Sequence, residues 1–98
     1  MKIETGESVI LVLHTPREKL LGILSEIGSA GIFVRAIDLG YFDDWCSSIA
    51  KNEPYLRMSD YFFPMWRLER LTRDENSPEM RSMAEEFKRR TGKTFGEI

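Results

Sequence analysis

A mostly β fold with two helices is what this sequence predicts, and three observations carry the prediction. The chain has 98 residues, enough for one core and too few for two, so residues 1–98 read as a single domain. Short aliphatic runs bounded by Pro and Gly dominate the first two thirds, the pattern of strands. A capped, striped helix stands near the end.

The first strand covers residues 8–14. Ser8 to Leu13 is aliphatic on both parities, as in a strand covered on both faces, and His14-Thr15-Pro16 ends it. Residues 16–27 read two ways. As a helix they offer Thr15 and Glu18 in capping-box spacing, Pro16 at the first helical position, and Leu20, Leu21, Leu24 and Ile27 on one face. As a strand over 19–27 they pair with 31–39 through Gly28-Ser29-Ala30, and Gly22 becomes a point of curvature instead of a costly helix interior residue. The third strand, 31–39, places Ile32, Val34 and Ala36 on one face and Phe33, Arg35 and Ile37 on the other.

Phe42, Trp45 and Ile49 recur at helical spacing behind Asp43 and Asp44, which predicts a helix over 41–51. Without burial of Trp45 and Phe42 so short a helix has nothing to hold it. Pro64 divides the next apolar stretch into strands 60–65 and 67–73, since it cannot donate to a ladder. The last helix is read over 78–91, with Ser77 as cap, Pro78 at its first position, Met80, Met83, Ala84 and Phe87 on one stripe, and Gly92 as stop.

The pattern Gly22-Ile23-Leu24, then Gly28 and the strand from Ile32 to Leu39, resembles the first motif of the Sm-like family, and Phe62 to Leu71 is similar in placement to the second. The resemblance spans about residues 7–73. It implies a five-stranded SH3-like or Sm-like barrel in which 16–27 is strand, with the short helix inserted between strands 3 and 4 and the last helix packed outside. If 16–27 is helical, the alternative is an α+β sandwich of small-sensor type. The resemblance also implies ring-like self-association. It departs from the family at the RNA site: the Asp and Asn of the Sm turn are replaced by Gly28-Ser29-Ala30-Gly31, and Met65-Trp66-Arg67 stands where the second motif has Arg-Gly or Lys-His.

Fourteen basic residues against sixteen acidic ones do not make a nucleic-acid coat, which needs a cationic surplus. Cys46, the only cysteine, makes no internal disulfide, and Met1-Lys2-Ile3-Glu4 lacks a signal-peptide pattern, so the expected location is cytoplasmic. No apolar run reaches the roughly 20 residues of a membrane span, so no membrane partner is expected. The lone His14 has no acid beside it to orient an imidazole base, and the acids, His14 and Cys46 show no metal-ligand spacing. No glycine-rich turn opens a helix as phosphate-binding turns do. The expectation is a protein without catalytic activity, cofactor or metal.

What stands out is the aromatic run from Tyr61 to Trp66, followed by Arg67, Arg70 and Arg73. Half of its aromatics are expected to fill the core, and Glu69 to pair with an arginine. Tyr61, Phe62, Trp66, Arg67, Arg70 and Arg73 are the candidate contact residues. The leading reading is a self-associating binding module of unidentified ligand that offers this stretch as a strand edge. The alternative is RNA binding by stacking and guanidinium contacts.

Overall fold

In the computed structural model, which describes residues 2–53 and 55–97, residues 18–27 are extended, and this settles the architecture. Five strands, β1 (Ser8–Leu13), β2 (Glu18–Ile27), β3 (Gly31–Asp38), β4 (Ser59–Pro64) and β5 (Leu68–Arg73), form one antiparallel sheet in the order β4-β3-β2-β1-β5. Helix α1 (Phe42–Ala50) lies between β3 and β4, and α2 (Met83–Thr91) follows β5. The fold is therefore mixed, a five-stranded sheet with two helices. The helical reading of 16–27, and with it the α+β sandwich, is overturned. The leucines that would share one helix face are divided between the two sides of β2: Leu20 and Leu24 join one core, Leu21 the other.

The first core draws on every strand. Val9, Leu11 and Leu13 meet Leu20, Leu24, Ile32, Val34 and Phe63, with Leu68 and Leu71 of β5 packed against them. Phe63 and Leu68 belong to opposite edges of the sheet, which in a flat five-stranded sheet lie about 19 Å apart. A link from Pro64 to Leu68 reaches at most about 14 Å. The sheet must curl for one cluster to receive both edges. Two glycines allow the close approach this needs. A Cβ on Gly22 would stand 2.6 Å from Ala36 Cβ and 2.8 Å from its Cα, and one on Gly31 would strike the Phe63 carbonyl and come within 2.7 Å of Phe62 Cζ.

The curl stops short of closure, because no ladder joins β4 to β5. A 3-10 turn at Met65–Arg67 crosses between these edges. It is held by Met65 N donating to Ala30 O at 3.0 Å and by His14 N donating to Arg67 O at 3.0 Å. Pro64 thus ends a strand and begins a crossing, as its missing donor requires.

The second core lies on the convex face, where Leu21 and Ile37 receive α1 and α2. Trp45 is fully buried, 4.3 Å from the Phe87 ring and 5.5 Å from Phe95 between centroids, and Phe42 and Ile49 are buried beside it. The stripe predicted for α1 is the stripe observed. Arg90 Nη1 joins α2 to Asp43 of α1 at 2.7 Å.

The last helix begins five residues later than its sequence pattern predicts. Ser77 makes only a reciprocal turn with Met80, whose side chain is exposed. The free N–H groups of α2 are taken instead by Asp74, which accepts from Met83 at 2.7 Å and Ala84 at 2.9 Å, and by Ser82, which accepts from Glu85 at 3.1 Å. A carboxylate from the end of β5 outcompetes the local serine because two of its oxygens meet two adjacent donors. Met83, Ala84 and Phe87 keep the predicted inward face, and Gly92 ends the helix at φ +76°.

Candidate functional site

The run from Tyr61 to Arg73 is distributed over three environments. Phe63 enters the core, as half of the aromatics must in an alternating strand. Arg67 is built into the scaffold: its Nε donates to His14 O at 3.1 Å, and its Nη2 to Pro16 O at 2.8 Å and Glu18 Oε2 at 2.9 Å. Its guanidinium also lies 5.8 Å from the Phe63 ring centroid. Arg73 grips Glu7 through both carboxylate oxygens and donates to Lys2 O at 3.0 Å. That guanidinium holds the Glu7 carboxyl below the usual carboxylate range, and Glu7 in turn raises Arg73. Glu69 pairs with Arg17 at 3.3 Å, so the expected arginine partner comes from the β1–β2 turn.

The remaining candidates face solvent. Trp66, on the 3-10 turn, is 62% exposed, with its ring edge-on to His14 at 6.2 Å. Arg70 has no ion pair or hydrogen bond among the described residues. Its register opposite Val12 puts it on the helix-bearing face of the sheet. Tyr61 and Phe62 lie on β4, 40% and 46% exposed. Arg67, Arg70, Arg73 and Trp66 therefore form no single cluster: two arginines serve the fold, and Trp66 sits on the crossing turn.

One group does converge, and it includes residues outside the candidate set. Phe33 of β3 lies opposite Phe62, their ring centroids 4.8 Å apart, and is 48% exposed. With Ser25, Val34, Asp60 and Tyr61 they line a cleft of about 520 Å³. Ser25 falls where the β2–β3 register shifts, between Leu24 and Glu26, and such a bulge re-aims the strand locally. Asp60 accepts from Arg35 Nη1 at 3.2 Å through Oδ1, and its side chain remains 79% exposed. The sequence held one sign of this cleft. Phe33 shares its β3 face with Arg35, which marks the end of that face that the helices leave uncovered, whereas Ile37 on the same face is buried under them.

The cleft borders an unpaired edge. β4 is the last strand on its side, and β5 the last on the other. β4 carries no lysine, proline only at its end, and three consecutive aromatics. Most sheet edges are blunted with charge or covered. Among the described residues this one has neither a covering element nor a second strand.

Other chemistry-bearing groups are accounted for by the fold. Cys46 is buried in the helix-side core, where desolvation raises its thiol pKa, the opposite of an activated nucleophile. His14 Nδ1 lies 3.0 Å from Thr15 Oγ1 at the strand end. Among the described residues no three His, Cys, Asp or Glu side chains are grouped to hold a metal, and no helix is long and apolar enough to cross a membrane. Compared with known proteins, the chain matches no family model, no curated protein and no solved structure.

Proposed function

We propose that this protein is a non-catalytic self-associating module with a small SH3-like or Sm-like barrel, whose β4 edge receives a strand from a second copy. The observation that carries the reading is the juxtaposition of Phe33, Tyr61 and Phe62, each at least 40% exposed, with a strand edge that has no partner. Adding a strand satisfies the outer backbone groups of β4, and covering the three rings removes apolar surface from water. The tight curl, the single core reached from all five strands and the 3-10 crossing after Pro64 support the barrel part of the reading. Light scattering across micromolar concentrations tests the association. A mass that is a multiple of the chain and falls toward one chain on Phe62→Ser is expected. A one-chain mass throughout overturns it.

RNA binding is the second reading, and the exposed indole of Trp66 is the observation in its favour. With Arg67 and Arg73 held in internal ion pairs, it rests on Trp66 and Arg70. Titration with single-stranded RNA at several salt concentrations tests it: affinity that falls steeply with salt and is lost on Trp66→Ala supports it. No salt-sensitive binding overturns it.

A further inference from the structure

Self-association at an open edge does not say which strand is added, but the backbone narrows the choice. Gly28 N donates to Gly31 O and Met65 N to Ala30 O, both at 3.0 Å, and these bonds continue the β2–β3 and β3–β4 registers. Residues of an antiparallel strand turn their N–H and C=O groups alternately to one neighbour and the other. Counting back from Met65, Phe63 and Tyr61 bond β3, while Asp60 and Phe62 present their backbone groups outward. Pro64 shares that parity, so its missing donor falls on the open side, where an edge strand tolerates it. The two edges also differ in charge. β5 carries Glu69, Arg70 and Arg73, and charged side chains of this kind deter strand addition. On β4 the only charge is Asp60, which Arg35 of the same chain offsets at 3.2 Å. Two β4 edges therefore meet without net repulsion.

We propose that the β4 edge is occupied by β4 of a second copy, antiparallel to it about a two-fold axis at Tyr61. In this register Asp60 of each copy faces Phe62 of the other, and the facing residues exchange both of their backbone hydrogen bonds. Centring the pair on Phe62 would instead set Asp60 against Pro64, which has no N–H to offer the Asp60 carbonyl, so Pro64 selects Tyr61 as the centre. Tyr61 then faces Tyr61 of the second copy as a non-hydrogen-bonded pair, with Cα atoms about 4.5 Å apart. Its ring already stacks on Phe63 at 5.3 Å between centroids, so an aromatic pair from each copy meets at the axis. On the other face of the sheet, Phe62 lies beside Asp60 of the second copy and the Arg35 that holds it, which brings a guanidinium toward an exposed ring. The contact is isologous: it uses one surface twice and closes at two chains.

The inference rests on the self-association proposed above, and crosslinking separates the two. Sedimentation gives the mass of wild type at micromolar concentrations. Tyr61→Cys and Phe62→Cys are oxidised mildly and resolved without reductant, with wild type as the background for the buried Cys46. Asp60→Pro removes an outward donor without touching the β3 ladder, and circular dichroism checks its fold. The expected result is a two-chain mass, a yield of covalent dimer from Tyr61→Cys at least tenfold above that from Phe62→Cys, and association at least tenfold weaker in Asp60→Pro. Covalent dimer formed preferentially by Phe62→Cys, or by neither variant, overturns the Tyr61-centred contact and leaves self-association standing. A mass above two chains, or undiminished association of folded Asp60→Pro, overturns it in the same way. A one-chain mass for wild type overturns both proposals.

Discussion

Gly22→Ala changes the stability of a strand and of a helix in opposite directions. In a helix interior alanine gains roughly 0.5–1 kcal/mol over glycine. In β2 the added methyl would meet the Cα and Cβ of Ala36, at 2.8 and 2.6 Å, and the Arg35 carbonyl. None of these is the tip of a flexible side chain, so β2 and β3 must separate locally. Overpacking of this kind costs about 1–3 kcal/mol. For a domain of this length each kcal/mol moves Tm by roughly 4–8 °C, so a central loss of about 2 kcal/mol lowers Tm by about 8–16 °C. Gly28→Ala is the matched control, because a Cβ there meets nothing within 4 Å. It should stay within about 0.5 kcal/mol of wild type or gain slightly from a stiffer unfolded chain. The assay is urea unfolding of the three proteins followed by circular dichroism. A neutral or stabilising Gly22→Ala would refute the tight β2–β3 approach and the curl derived from it.

Two further outcomes follow from the packing and the ion pairs. Trp45→Ala should destabilise by about 3–5 kcal/mol in chemical denaturation, since the side chain is fully buried among Phe42, Phe87 and Phe95; a loss below about 1 kcal/mol would contradict that burial. Trp45→Phe should be much milder, because the indole Nε1 has no acceptor among the described residues and its removal relieves an unmet donor. Glu7 is held below its ordinary range by the hydrogen bond from Arg73. Its stabilising effect is therefore complete above the unfolded glutamate value of about 4.3 and is lost as pH falls through the lower folded value. The stability difference between wild type and Glu7→Gln should be constant at pH 6–7 and shrink below about pH 4; a difference independent of pH would show that the Glu7 charge contributes nothing.

Sequence pattern is most informative where one periodicity governs a whole element. Phe42, Trp45 and Ile49 lie at helical spacing, and the same three side chains bury α1. For residues 18–27 two periodicities fit the same leucines. Capping-box spacing at Thr15 and Glu18 is a local signal, whereas Leu20, Leu21 and Leu24 are placed by cores on both sides of β2, which are assembled from distant parts of the chain. The helix start at Ser77 misleads for the same reason. Its competitor, Asp74, lies in the preceding segment, just after β5, and meets the start of α2 where the β1–β5 pairing places it. In both cases a local cap competes with a long-range contact, and the contact with more donors or more buried surface prevails.

The aromatic run shows how far alternation reaches toward function. It assigns Phe63 and Phe62 to opposite faces, and the structure agrees: one is core, the other lies open opposite Phe33. Alternation does not say what covers the second face. That depends on where α1 and α2 come to rest, and they settle over Leu21 and Ile37, leaving the Phe33 end bare. The arginines divide by the same kind of contingency. Arg67 and Arg73 are consumed because His14, Glu18 and Glu7 fold next to them, while Arg70 stands on the edge opposite Val12 with no ion pair among the described residues. The sheet therefore ends in two edges of different character, an aromatic one at β4 and a charged one at β5, which the link from Pro64 to Leu68 holds in a curled but unpaired arrangement.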